Sequence, residues 1–293
     1  MPIANLPDVD IYYETMGDPS NEPLVLVMGF TAQLTTWPMG FCEQLVNDGF
    51  FVIRHDNRDS GLSSKTAGEP PDALNILLQA QAGQPITTPV PYTLSHMAAD
   101  VIGLLDHLQI GTAHVVGASM GGMIVQTLAI EFADRLRSVT SIMSTTGDVK
   151  VGQATPEALG ALLAPAPEVR EAALAHGVAM SQIIAGPLWD EAEAKIRVEE
   201  SYDRSLYPEG ALFQMAAIAA SGDRTEGLHG VDLPFLVIHG LADQLISVSG
   251  GQATANAVPG ADLLVLSKMG HDLPRAYWAQ LTSAIHGIST RQF

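Results

Sequence analysis

Short, unbroken aliphatic runs recur along the chain, with helical patterns between them. A run of this kind, bounded by turn residues, is typical of a strand that is buried on both faces of a parallel sheet. The predicted strands are residues 24–28, 51–54, 114–116, 138–143, 234–238 and 262–266. The predicted helices are residues 41–46, 94–108, 120–132 and 274–286. This alternation predicts an α/β fold in which helices cover both faces of a mostly parallel sheet.

Three stretches depart from this rhythm. Residues 9–14 alternate with a period of two, which indicates an early antiparallel strand. Residues 63–92 are rich in Pro, Gly and Gln and predict a long excursion from the sheet. Residues 145–231 show helical patterns and no convincing buried strand, and their predicted helices are residues 168–177, 189–203 and 210–220. We therefore predict a core formed by residues 1–144 and 232–293, with residues 145–231 inserted between core strands as a helical lid.

Composition narrows the classes of partner. Acids outnumber bases by 32 to 14 in the 293 residues, giving a formal net charge of −18. A nucleic-acid or anionic-membrane partner requires a basic surface, and the sequence has no basic cluster to form one. The single cysteine, Cys42, leaves no intrachain disulfide and no multi-cysteine metal site. With no signal-peptide pattern and no run of 18 apolar residues, the sequence predicts a soluble, cytoplasmic protein without metal or cofactor, of unspecified oligomeric state.

The segment from Gly117 to Gly121 matches the pattern G-x-S-x-G and places Ser119 directly after a predicted strand and before a predicted helix. This is the strand–turn–helix context in which the pattern presents a nucleophilic serine. Small flanking residues let the strand and the helix approach closely around a strained turn. The hydroxyl would then lie at the positive end of the helix.

A serine hydroxyl needs a base to accept its proton. His271 is the preferred candidate, because it lies in the loop after the last predicted strand, at the sheet edge where parallel α/β proteins place their sites. His55 and His239 also stand at strand ends and are the rival candidates. The loop that follows His55 is charged and better suited to a structural role.

The imidazole in turn needs a carboxylate that fixes its tautomer. Asp243 follows the fifth aliphatic strand by a short loop and is the preferred acid, with Asp148 as the alternative. The chain order Ser119, Asp243, His271 is the order found in α/β-hydrolases. For the oxyanion, the backbone N–H groups of Phe30 and Met120 are the predicted donors.

Five blocks in this order resemble the α/β-hydrolase superfamily over nearly the whole chain. The blocks are residues 27–30, residues 54–61, residues 117–122, Asp243, and Gly270-His271. The Asn-Arg-Asp-Ser-Gly stretch, together with Met-Gly and the later Trp37-Pro38, looks like the aclacinomycin methylesterase group. Members of that group hydrolyse a methyl ester on a polyketide aglycone. The resemblance implies a Ser119, Asp243 and His271 triad with Phe30 and Met120 as oxyanion donors.

A serine at the elbow excludes members that use a carboxylate nucleophile, such as haloalkane dehalogenases and epoxide hydrolases. Perhydrolases, carbon–carbon hydrolases, acyltransferases and ligand-binding receptors with vestigial hydrolysis stay open as alternatives. Trp37, Trp189 and Phe213 are the predicted pocket residues. The predicted triad indicates a carboxylesterase that works through an acyl-enzyme on Ser119. Because the predicted lid is rich in apolar side chains and the chain has no cluster of bases, we predict that its substrates are small, neutral, hydrophobic esters.

Overall fold

One eight-stranded sheet organises the computed structural model, which describes residues 2–165 and 167–291. The strands are β1 (Ile3–Asn5), β2 (Asp10–Met16), β3 (Glu22–Val27), β4 (Phe50–His55), β5 (Ala113–Ala118), β6 (Leu136–Ile142), β7 (Phe235–Gly240) and β8 (Asp262–Leu266). Their order is β1-β2-β4-β3-β5-β6-β7-β8. Strand β2 is antiparallel to β1 and β4, and the other pairs are parallel. The predicted mostly parallel sheet and the early antiparallel strand are both confirmed.

The position of the site follows from this strand order. Strand β3 lies between β4 and β5, so the connections on its two sides run in opposite directions and open a crevice at the carboxyl ends of β3 and β5. Gly29 follows β3, and Ser119 follows β5. The backbones approach so closely here that a Cβ on Gly29 would lie 2.9 Å from the Cβ of Ser119.

Helices cover both faces of the sheet, as the alternating pattern predicts. One face packs against α1 (Met39–Asn47) and α11 (Trp278–Ser289), and the other against α3 (Leu94–His107), α4 (Met120–Glu131) and α10 (Val248–Ala257). All residues of β5 and β7 are buried, because each strand has neighbours on both sides and helices above and below. No helix in the described part of the chain is long and apolar enough to cross a membrane.

The connection between β6 and β7 carries five helices and, in its described residues, no strand. They are α5 (Pro156–Leu163), α6 (Arg170–Ile184), α7 (Glu191–Arg204), α8 (Gly210–Ser221) and α9 (Thr225–Leu228). Three of them correspond to the helices predicted from the sequence, while α5 and α9 were not predicted. We call this stretch, residues 143–234, the inserted segment. The division into core and lid at residues 145 and 231 stays a proposal.

The stretch 63–92 leaves the sheet as predicted, but it contains a helix that the sequence reasoning missed. Helix α2 (Ala73–Gln81) begins at Asp72, whose side chain accepts a hydrogen bond from the Asn75 amide at 3.1 Å. It packs against α8 of the inserted segment through Ala73, Ile76 and neighbouring side chains.

Candidate active site

Ser119 stands at the sharp turn between β5 and α4, and its backbone is in the left-handed region, with φ 57° and ψ −119°. The turn requires glycine on both sides of it. A Cβ on Gly117 would lie 2.0 Å from the carbonyl oxygen of Gly121, and a Cβ on Gly121 would lie 2.0 Å from that of Val27. The G-x-S-x-G pattern therefore reflects a steric requirement, and the strained turn predicted from it is present.

Side chains from two other strand ends meet the Ser119 hydroxyl. His271, in the loop after β8, places its Nε2 2.9 Å from Ser119 Oγ. Its Nδ1 lies 2.8 Å from Oδ2 of Asp243, which follows β7. An ionised carboxylate can only accept a hydrogen bond, so Nδ1 of His271 must carry the hydrogen. The other ring nitrogen, Nε2, is then the one that can accept the serine proton. The structure thus brings the three predicted residues together in the geometry of a Ser–His–Asp triad.

The environment keeps Asp243 ionised. Burial by itself would raise the pKa of this carboxyl, but the charge of His271, the nearby His239 ring, and hydrogen bonds from His271 and the Ile246 amide outweigh it and lower the pKa to about 2. The other carboxylate oxygen, Oδ1, accepts from the Leu245 and Ile246 amides, each at 2.9 Å. The carboxylate therefore has a fixed orientation towards the imidazole.

The rival histidine His239 lies behind the acid rather than beside the nucleophile. Its Nε2 donates to the carbonyl oxygen of Ile246 at 2.8 Å and stands 3.6 Å from Asp243 Oδ2, which is too far for a hydrogen bond. His239 is fully buried and supports the loop that carries Asp243.

The other two alternatives lie elsewhere. Both ring nitrogens of His55 are buried, and neither has a hydrogen-bond partner in residues 2–165 or 167–291. Burial lowers the pKa of His55 to about 4, so the ring is neutral near pH 7. Asp148 accepts from the amide of Lys150 at 2.9 Å, within its own turn. Neither residue is part of the group around Ser119.

The two predicted oxyanion donors belong to the segments that follow β3 and β5. Phe30 follows the glycine turn after β3, and Met120 is the first residue of α4. Neither amide donates a hydrogen bond to a protein group among the described residues. Met120 lies at a helix N-terminus, where amides have no partner within the helix and carry partial positive charge. Their role as oxyanion donors stays a prediction.

Side chains that sequence reasoning missed hold the loop of the Phe30 amide. Asn57 donates to the carbonyl oxygen of Met28 at 2.8 Å, and Ser60 donates to that of Ala32 at 2.9 Å. Gln214, on α8, accepts from the amide of Thr31 at 2.7 Å. The charged loop after β4 thus supports the loop after β3 through side-chain hydrogen bonds.

The inserted segment is tied to the same loop by a polar cluster. Gln33 donates from its Nε2 to the carbonyl oxygen of Ser201 at 2.7 Å and to that of Ser205 at 2.9 Å. Its Oε1 accepts from Arg204 at 2.6 Å. Arg204 also forms an ion pair with the fully buried carboxylate of Asp56 at 2.8 Å. Through these contacts the end of α7 is anchored to the core beside the crevice.

The three predicted pocket residues lie in different surroundings, and their role in a pocket stays a prediction. Trp37 is fully buried and stacks on Phe41, with ring centroids 5.8 Å apart. Phe213 is buried in a cluster that includes Met120. Trp189 is partly buried and donates from its indole nitrogen to Ser181 at 3.1 Å.

Fold and site together define a hydrolase with a serine at the turn between a central strand and its helix. Comparison with known families agrees, because the family described as the alpha/beta hydrolase fold matches residues 22–274, and the chain belongs to this family.

Named relatives extend the comparison. A rhodomycin D methylesterase of Streptomyces peucetius is 29% identical over 306 residues, covering 95% of this chain and 94% of that protein. The 3-oxoadipate enol-lactonase 2 of Acinetobacter baylyi is 29% identical over 262 residues, covering 88% of this chain and 85% of that protein. An enol-lactonase structure from Burkholderia xenovorans superposes with a TM-score of 0.74 at 22% identity, covering 99% and 100% of the two chains, and shows the shared fold. The predicted resemblance and the predicted class, a carboxylic ester hydrolase, are confirmed.

Proposed function

We propose that the protein hydrolyses carboxylic esters through an acyl-enzyme on Ser119. The observation that carries the proposal is the continuous contact from Ser119 Oγ to His271 Nε2, at 2.9 Å, and from His271 Nδ1 to Asp243 Oδ2, at 2.8 Å. His271 accepts the hydroxyl proton as the oxygen attacks the ester carbonyl. It then returns a proton to the leaving alcohol, and activates the water that releases the acid. Asp243 stays ionised and stabilises the imidazolium both while the acyl-enzyme forms and while water hydrolyses it.

The oxyanion of each tetrahedral intermediate is received by the amides of Phe30 and Met120. Two features support this assignment. Neither amide is engaged in the described part of the chain, and the close approach of Gly29 to Ser119 brings the two loops within reach of one substrate oxygen. Donors that are fixed before the reaction stabilise developing charge without reorganisation.

For the substrate, we propose a small, neutral, hydrophobic ester. Only 14 bases occur in the chain, so recognition of a strongly anionic acyl group has little basis. The names of both relatives, a methylesterase and an enol-lactonase, denote cleavage of an acyl–oxygen bond. Residues 145–231 act as a lid over the crevice in this proposal, with Trp189 and Phe213 as its apolar contributors to the pocket.

The test is a burst assay with 4-nitrophenyl acetate and butyrate on the parent, Ser119→Ala and Ser283→Ala. Ser283 makes a matched control, because it loses the same hydroxyl from the exposed face of α11. We expect a burst and steady turnover in the parent and the control, and a loss of about three orders of magnitude or more in Ser119→Ala with the fold intact. Activity of Ser119→Ala within tenfold of the parent would contradict the mechanism. A burst without turnover would indicate a receptor or an acyltransferase instead.

Chain-length preference tests the substrate class separately. We expect acetate and butyrate esters to be turned over faster than a long-chain triglyceride emulsion. Equal or faster turnover of the triglyceride would contradict the proposed small substrate while leaving the serine mechanism intact.

A further inference from the structure

The residue after His271 joins the histidine loop to the inserted segment. Asp272 Oδ1 accepts hydrogen bonds from two backbone amides, that of Gly270 at 2.9 Å and that of Gly186 at 3.4 Å. Gly270 belongs to the histidine loop, and Gly186 follows α6. One carboxylate oxygen therefore connects two segments that are far apart in the sequence.

The same two segments also meet through their main chains. The amide of His271 donates to the carbonyl oxygen of Ile184, the last residue of α6, at 2.8 Å. A Cβ on Gly186 would lie 2.4 Å from the carbonyl oxygen of Lys268, and a Cβ on Gly270 would lie 2.1 Å from the Gly186 nitrogen. This contact excludes any side chain larger than hydrogen, so the two backbones pack directly on each other.

We propose that Asp272 is a positioning residue, which keeps the His271 imidazole in place by anchoring its loop to the end of α6. The inference rests on the proposed function, since it takes His271 as the base for Ser119. The imidazole bridges two partners at hydrogen-bond distance, so a shift of its loop lengthens at least one of the two contacts. A misplacement of about 1 Å can cost about a hundredfold in rate.

This anchor requires an acceptor oxygen rather than a charge, because both partners are neutral amides that donate to the same atom. Burial raises the pKa of the Asp272 carboxyl, against the opposing effects of the two amide hydrogen bonds and of the nearby His271 and Arg197 side chains. Asparagine keeps a carbonyl oxygen and removes the charge. The variant Asp272→Asn therefore separates the role of the oxygen from that of the charge.

The experiment compares Asp272→Ala, Asp272→Asn and the control Asp232→Ala, which removes an exposed carboxylate. Readouts are steady-state kinetics with 4-nitrophenyl butyrate, and hydrogen–deuterium exchange of peptides covering residues 184–189 and 268–273. We expect Asp272→Ala to lower kcat about tenfold to a hundredfold with little change in KM, and to exchange faster in both peptides. Asp272→Asn is expected to keep parent-like exchange and kcat within about threefold of the parent.

A second variant tests the same contact without touching Asp272. Gly186→Ala inserts a methyl group between the two backbones and is expected to reproduce the lower kcat and the faster exchange of peptide 268–273. Parent-like kcat or exchange in Asp272→Ala overturns the proposal, and so does an Asp272→Asn as slow as Asp272→Ala. A parent without Ser119-dependent turnover would contradict the proposed function instead, and the exchange data would still decide whether Asp272 anchors the histidine loop.

Discussion

Two buried histidines, His55 and His114, are expected to make the stability of the protein depend on pH. Burial lowers the pKa of His55, and separately that of His114, to about 4, from an ordinary value of 6.5. As the pH falls below 6.5, the unfolded chain binds these protons before the folded chain does. The free energy of unfolding therefore declines between about pH 6.5 and pH 4, by roughly 1.4 kcal/mol per unit of pKa difference for a fully buried ring.

His55→Leu tests this linkage, because leucine does not titrate and fills a similar volume. We expect the parent to lose stability in urea between pH 7 and pH 5 and the variant to lose less of it. The control is His229→Gln, which removes an exposed imidazole. An equal loss of stability in the parent and in His55→Leu would show that His55 does not contribute to the acid sensitivity.

At the same scale, the sequence could predict the three residues that meet at the sheet edge but not the residues that support the neighbouring loops. Ser119, Asp243 and His271 stand at strand ends in a recognisable order, because the sheet edge collects them. Asn57 and Gln214 act through hydrogen bonds to backbone atoms of a loop that is distant in the sequence. Hydrogen bonds of this kind produce no periodic pattern or fixed spacing in the sequence, so only the folded structure reveals them.

Among the helices and strands, α4 packs so closely on β3 that a substitution at Gly121 is expected to destabilise the fold. Gly121→Ala places a methyl group 2.0 Å from the carbonyl oxygen of Val27 and forces the helix away from β3. We expect the free energy of unfolding to fall by about 2–3 kcal/mol, measured by urea denaturation.

Gly160 offers a matched control for that change. It lies in α5, and apart from its chain neighbours and its own helix backbone no atom of the described residues lies within 4 Å of the position that a Cβ would take. Because alanine favours a helix over glycine, Gly160→Ala is expected to leave stability unchanged or to raise it by about 0.5–1 kcal/mol. Equal losses in the two variants would refute the steric account of Gly121.

Strands and helices could be predicted where burial produces a simple pattern of apolar residues in the sequence. The central strands read as unbroken aliphatic runs because helices cover both of their faces. Helix α10 was missed because Val248–Ala257 is built largely from small and polar residues, which let it pack closely: a Cβ on Gly251 would lie 2.4 Å from the His239 ring. Helix α2 was missed because its short apolar pattern lies between proline- and glycine-rich stretches.

For the whole molecule, the net charge of −18 predicts stabilisation by salt. Repulsion among the acids opposes the compact state, and about 0.1 M salt screens charges that are more than about 10 Å apart. We expect the unfolding temperature to rise by roughly 2–4 °C between low salt and 0.3 M NaCl at pH 7. Near the isoelectric point of about 4.6 the increase should disappear. A fall in unfolding temperature at pH 7 would instead indicate that ion pairs such as Arg54–Glu14 dominate.

The polar cluster of Gln33, Arg204 and Asp56 has a consequence for how this molecule can diversify. The helix that precedes Ser205 and the loop that presents the Phe30 amide share these hydrogen bonds, so they cannot vary independently. Replacing the inserted segment with that of a relative would therefore also break contacts with the core. A chimaera that carries a different α7 needs matching residues at positions 33 and 56 as well, because otherwise Gln33 and the buried carboxylate of Asp56 lose their contacts with Arg204.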